Sequence, residues 1–129
     1  QTTIQISNMK TKVYLAGGFH SDWRNKFHDS IGFEFFYPGK KGLTEIQEYG
    51  TWDIYFIKQC DICFAYLDKD NPSGYGLAAE IGYAKALNKT VILVIEPGHP
   101  KARYFEFLMC FADAIYDDLD KSIEYLSNF

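Results

Sequence analysis

The chain has no apolar run long enough to cross a membrane. Its longest, Thr90 to Ile95, falls far short of the roughly 20 residues that span a bilayer. It also lacks a basic run longer than Lys40-Lys41, and 13 Lys and Arg face 17 Asp and Glu for a formal net charge of -4. A nucleic-acid surface carries a positive stripe, so no nucleic acid polymer is expected as a partner. A small anionic ligand stays open, because backbone dipoles can hold one. Cysteine is scarce: only Cys60, Cys63 and Cys110. Cys60 and Cys63 have C-x-x-C spacing, but no second pair and no His neighbour completes a metal shell. An odd thiol count with no signal peptide fits a reducing cytoplasm, the expected location.

Aromatic residues are what the sequence has in excess. Eleven Phe, ten Tyr and two Trp make up 18% of 129 residues. A chain of this length is one domain and buries roughly two-thirds of its unfolded surface, so it needs no disulfide or metal staple. The surplus of rings implies a second buried surface, either a subunit interface or a pocket for a planar ligand. Residues 1–9, up to the first methionine at Met9, carry no clear pattern. They are expected to be disordered or foreign to the native chain, with translation starting at Met9. Residues 10–129 are expected to form the domain.

Short apolar runs alternate with helical patterns. Val13 to Ala16, Phe33 to Tyr37, Asp61 to Leu67, Thr90 to Ile95 and Ala114 to Tyr116 read as strands. Helices are expected from Ser21 or Asp22 to about Ser30, then over Thr51 to Gln59, Tyr75 to Asn88, Ala102 to Phe111 and Asp118 to Leu126. Lys40 to Gly50 reads as a loop. Strands apolar on both faces predict an α/β fold: a doubly wound, flavodoxin- or Rossmann-like parallel sheet of about five strands, with helices on both faces. Ligands bind at the carboxyl ends of such strands. That rule gathers the loops Gly17 to Arg24, Asp68 to Gly76 and Pro97 to Arg103.

The first loop offers Gly17 and Gly18, with Phe19 or Trp23 to stack on a base. Arg24 suits a phosphate, or is an ordinary exposed arginine. Asp22 suits a ligand contact or a helix cap. Gly17-Gly18 is neither a Walker loop nor G-x-G-x-x-G. Glu80 sits near the start of a helix among Ala78, Ala79, Ile81 and Ala84. A carboxylate in such company is either exposed or held there for a reason. His99, Lys101 and Arg103 read as a solvated basic loop.

Tyr14, the run Gly17 to Lys26 (GGFHSDWRNK), Asp61, and Glu80-Ile81-Gly82-Tyr83-Ala84 followed by the Thr90 strand resemble the nucleoside 2-deoxyribosyltransferase family. That family includes the deoxynucleoside 5'-monophosphate N-glycosidases. The resemblance spans about Lys12 to Asp113. It implies a Rossmann-like subunit, a homo-oligomer, and cleavage of the N-glycosidic bond of a small-molecule 2'-deoxynucleoside or nucleotide. Transfer to another base or to water follows, without metal or organic cofactor. By this resemblance Glu80 is the nucleophile, Tyr14 orients it, and Asp61 is an acidic residue at the sugar and base site.

Three positions depart from the pattern. Gly74 stands where transferases carry an aspartate six residues before the glutamate. Pro72-Ser73 is similar to the Pro-Ser of the monophosphate N-glycosidases, with one extra residue before Glu80; Ser73 with the amides of Gly74 and Gly76 could cradle a phosphate. Phe107 aligns with a polar residue lent by the neighbouring subunit, while Met109 fits. The alternatives are therefore a 5'-monophosphate N-glycosidase and a nucleotide-binding module without catalysis.

Overall fold

The computed structural model describes residues 10–129; the segment expected to be disordered or foreign, residues 1–9, lies outside them. Five strands form one sheet: β1 (Thr11–Gly17), β2 (Phe33–Phe36), β3 (Ile62–Leu67), β4 (Thr90–Ile95) and β5 (Ala114–Tyr116). Their order is β2-β1-β3-β4-β5, and every pairing is parallel. The helices are α1 (Ile46–Gln59), α2 (Tyr75–Ala86), the single turn α3 (Ala102–Phe105) and α4 (Leu119–Leu126). Two 3-10 segments, Trp23–Lys26 and Glu106–Phe111, complete the order.

The alternation of side chains along each strand explains why both faces are covered. Val13, Leu15, Phe64, Ile92 and Val94 point to one side, where Trp23 and Leu126 close over them. Tyr14, Ala16, Cys63, Ala65, Val91 and Leu93 point to the other, against Ile57, Leu77, Ile81 and Ala84. The sheet is therefore apolar on both surfaces, as a parallel sheet must be. Chain direction reverses at β1: β2 lies on one flank and β3 on the other. The loops leaving β1 and β3 consequently diverge and open a crevice at their carboxyl ends.

Some elements differ from the sequence-based expectation. The helix expected to run to about Ser30 is one 3-10 turn, and Asp22 makes no capping hydrogen bond with its side chain. Trp23 turns into the core and Arg24 turns toward strand carbonyls, so helical continuation would cost both contacts. Helix α1 begins at Ile46, inside the expected loop, and carries Gly50 within it. A helical glycine costs about 1 kcal/mol, and the packing of Trp52, Phe56 and Ile57 onto the core offsets it. The expected helix Ala102 to Phe111 is one α turn followed by 3-10 geometry. β4 and β5 match their expected bounds, and Asp118 caps α4 by accepting from the Asp120 amide at 2.8 Å.

Candidate active site

Tyr14 occupies the middle of β1, opposite Cys63 of β3 and Phe36 of β2. The pleat aims its ring at the face covered by α1 and α2, and the residue is fully buried. Its hydroxyl needs a partner there, because an unpaired buried O–H is costly. It donates to Oε2 of Glu80 at 2.6 Å, the short length of a charge-assisted hydrogen bond. Glu80 lies in the second turn of α2, whose Leu77, Ile81 and Ala84 are buried against the sheet. That packing fixes the helix and carries the carboxyl to the edge of the core.

Glu80 lines a cavity of about 410 Å³ at the crevice. Its walls come from the loop after β1 (Gly17, Gly18, Phe19), from α1 (Tyr49, Asp53, Ile54), and from the loop after β3 with the start of α2 (Asn71, Ser73, Gly74, Gly76). A cleft of this size suits a small molecule. Burial pushes the Glu80 carboxyl up to about 7; the Tyr14 hydrogen bond opposes the shift, nearby Asp53 adds to it, and Arg24 opposes it. Asp53 is likewise pushed up to about 6 by burial, with Arg24 opposing. Asp53 Oδ1 is buried and has no hydrogen-bond partner among the described residues. Two carboxyl groups thus share one cavity, both poised near neutral pH. Such shifts cluster at functional sites and also occur in structural networks.

The structure brings together Tyr14, Glu80, Gly17, Phe19, Ser73, Gly74 and Gly76 and leaves the other expected residues outside. Asp61 is exposed at the amino end of β3, where its Oδ2 accepts from the Lys12 amide at 2.9 Å. The crevice opens at the carboxyl ends, so Asp61 sits at the wrong end of its strand. Trp23 is only 4% exposed; its indole N–H donates to the Gly18 carbonyl, and its ring packs on Phe27, Phe64 and Tyr66. It supports the loop and offers no face to a base. Asp22 borders a separate polar cleft with Glu96 and Asp118. Arg24 spends its donors on carbonyls of Leu15, Gly17 and Gly18. Met109 and Phe107 are exposed and line no part of this chain's cavity. Phe19, 67% exposed at the cavity wall, is the ring free to stack.

The third loop acts from behind. His99, expected to be solvated, is buried: its Nε2–H donates to the Asn71 carbonyl at 2.7 Å while Nδ1 accepts from the Lys101 amide. It braces the loop after β3. His20 and Asp68, 2.6 Å apart, tie that loop to the loop after β1. No group of three or more His, Cys, Asp or Glu suited to a metal occurs among the described residues.

Sequence reasoning missed Asp53 and Asn71. The signal for Asp53 was present: it lies four residues before Ile57 and four after Tyr49, on the face of α1 that turns inward. A carboxylate at that spacing is the anomaly to look for.

Comparison with known proteins bears on this geometry. Residues 13–121 match the family model for nucleoside 2-deoxyribosyltransferase. The chain belongs to that family. No curated protein matches it. Among solved structures, it is similar to a 2-deoxyribosyltransferase from Leishmania mexicana, with 20% identity, 92% of this chain and 97% of that chain covered, and a TM-score of 0.71. It is also similar to a 2-deoxyribosyltransferase from Bacillus psychrosaccharolyticus, with 24% identity, coverage of 86% and 89%, and a TM-score of 0.63. A CMP N-glycosidase from Clostridium botulinum shows 21% identity, coverage of 92% and 96%, and a TM-score of 0.56. These likenesses show the five-strand parallel α/β fold that the sequence predicts.

In this nucleoside 2-deoxyribosyltransferase family member, Gly74 is fixed by its backbone. It precedes α2 in the left-handed region, at φ 80°. A Cβ there would meet the Phe105 ring at 3.0 Å and Leu67 Cδ1 at 3.3 Å. An aspartate at this position would adopt a strained left-handed backbone and press its Cβ on the Phe105 and Leu67 side chains. Gly74→Asp is expected to cost about 2 kcal/mol of stability, read as a lower urea midpoint. An unchanged midpoint contradicts this account of the position.

Proposed function

We propose that the protein cleaves the N-glycosidic bond of 2'-deoxynucleosides, with Glu80 as nucleophile, and passes the sugar to another base or to water. The observation that carries this reading is the part-buried Glu80 carboxyl, pinned through Oε2 by the Tyr14 hydroxyl at the wall of a sugar-sized cavity. With Oε2 held, Oε1 is the oxygen left to meet the anomeric carbon. As the C1'–N bond breaks, the sugar gains oxocarbenium character and the C1'–O bond to Glu80 forms. The departing base takes a proton. We assign that proton to Asp53: burial pushes its carboxyl up to about 6, and its Oδ1 has no hydrogen-bond partner among the described residues. A base or water then attacks C1' and gives its proton to Asp53, the C1'–O bond to Glu80 breaks, and both carboxyl groups return to their starting states. The chemistry calls for no metal or organic cofactor. Phe19 stacks on the base, and Ser73 with the amides of Gly74 and Gly76 meets the 5' end of the sugar.

Ser73 also favours a second reading, a 5'-monophosphate N-glycosidase. Because Arg24 is committed to backbone carbonyls, a phosphate would rest on Ser73 and those amides alone. Measuring base release from deoxynucleosides and from their monophosphates, with and without an acceptor base, distinguishes transfer, nucleoside hydrolysis and nucleotide hydrolysis. Tight binding of either ligand without turnover would instead indicate a nucleotide-binding module.

Tyr75, Tyr104, Phe107 and Met109 are exposed on and near α2, α3 and the following 3-10 segment. We assign this aromatic face to a second copy of the chain, which would bring Phe107 and Met109 toward a neighbour's cavity. Sedimentation at micromolar concentration is expected to show a dimer or higher oligomer; a clean monomer contradicts the assignment.

Glu80→Ala is expected to lower kcat/KM at least a thousandfold, about 4 kcal/mol of barrier, with the fold retained in its circular dichroism spectrum. Activity within tenfold of the parent sinks the nucleophile assignment. Glu80 must be ionised and Asp53 protonated, yet Glu80 holds its proton more tightly, so a minority of molecules carries that pair of states; kcat/KM should peak between about pH 6 and about pH 7 and fall on either side. Asp53→Asn is expected to remove the alkaline limb; its persistence would assign the proton to another group.

A further inference from the structure

Arg24 looks at first like a surface arginine freed by a short 3-10 turn. Its guanidinium instead lies behind the cavity wall. Nε and Nη2 donate to the Leu15 carbonyl at 3.3 and 3.1 Å, Nη2 to Gly17 at 2.8 Å, and Nη1 to Gly18 at 2.7 Å. Those carbonyls belong to the end of β1 and to the loop that forms one wall of the cavity. The guanidinium also lies over the rings of Phe19, at 4.7 Å, and Trp23, at 4.5 Å, from their centroids. Planar stacking with forked donation is a geometry that only arginine supplies.

We infer that Arg24 is a positioning residue with two linked tasks: it fixes the backbone of Gly17 and Gly18 and the seat of the Phe19 ring, and it sets its charge against the two carboxyl groups of the cavity. This rests on the reading of Glu80 as nucleophile for its catalytic meaning, but its physical content does not depend on turnover.

Titratable groups face Glu80 from three neighbouring elements. Tyr14 of β1 donates to it, Cys63 of β3 is a buried thiol beneath it, and Asp53 of α1 adds negative charge. The opposing positive influence on both carboxyl groups is Arg24. Burial lowers Arg24 only to about 10, while Glu80, Tyr14, Tyr37 and Asp53 hold it up, so it stays charged across the working range. The same group thus locks the wall and favours the ionised form of Glu80. A guanidinium with most of its donors on neutral carbonyls keeps its charge unneutralised, which is what lets it act on groups it does not touch.

Two substitutions separate the tasks. Arg24→Gln removes the charge; Arg24→Lys keeps it but cannot reach three carbonyls at once. The first readout is the titration of the Glu80 carboxyl by carbon NMR, with Glu80→Gln identifying the signal. The second is hydrogen exchange of the Gly17, Gly18 and Phe19 amides. In Arg24→Gln the Glu80 midpoint is expected to rise by at least half a pH unit, and in Arg24→Lys to stay within about a third of a unit. In Arg24→Lys the loop amides are expected to exchange at least tenfold faster than in the parent. An unmoved Glu80 midpoint in Arg24→Gln overturns the charge role. Parent-like exchange in Arg24→Lys overturns the bracing role, and does so even if Arg24→Gln fails to fold. Neither readout involves catalysis, so an inactive protein with the expected shifts would refute the nucleophile reading while leaving this one standing.

Discussion

A tyrosine hydroxyl and a carboxyl group 2.6 Å apart, closed in by the sheet on one side and by α2 on the other, are the constraint around which the rest of the protein is arranged. Burial opposes the charge on Glu80, and the Tyr14 hydrogen bond partly restores it. The Tyr14 proton is held firmly in return, because burial and the neighbouring carboxylate both raise its pKa. The outcome is an acid that changes charge near neutral pH while one of its oxygens stays fixed. For an attack on an anomeric carbon this is useful: a partly desolvated carboxylate is more reactive than a hydrated one, and a fixed one pays less entropy on the way to the transition state.

The scaffold serves that pair by controlling backbone. Gly17 lies so close to its neighbours that a Cβ would fall 2.7 Å from the Tyr66 carbonyl oxygen and 2.8 Å from the Trp23 ring. The glycine lets β1 end against β3 and turn into the cavity wall. Three polar ties then hold the crevice: Arg24 on the loop after β1, His20 with Asp68 between the two loops, and His99 on the Asn71 carbonyl. None of these groups lines the cavity, yet each fixes a segment that does or that adjoins one. A loop-built site gains its precision from such supports.

Much of this was legible in the sequence, and the reasons are physical. Apolar runs such as Thr90 to Ile95 admit few structures besides a strand buried on both faces, and a parallel sheet follows from their alternation with helices. Glu80 stood out as a carboxylate in an otherwise small and apolar helix. The family likeness tied it to Tyr14. Asp61 misled because a strand-opening aspartate is also a good acceptor for a neighbouring strand's amide, and it serves that role here. Asp53 lies in the expected helix Thr51 to Gln59, where the helical pattern alone does not say which face turns inward. A loop at the carboxyl end of the first strand predicts ligand contacts for Trp23 and Arg24. A single 3-10 turn reverses them, burying the ring and bending the guanidinium back onto the strand end. Short-range patterns carry strand and helix identity, whereas the direction of a loop side chain is set by packing partners distant in sequence.

The most direct measurement of the central claim is the mass of the protein after brief reaction with a 2'-deoxynucleoside, quenched in acid and digested. The account predicts a peptide containing Glu80 heavier by one deoxyribosyl group, with no such species in Glu80→Gln. Base release with the sugar attached to another residue, or the same labelled peptide in Glu80→Gln, would contradict it.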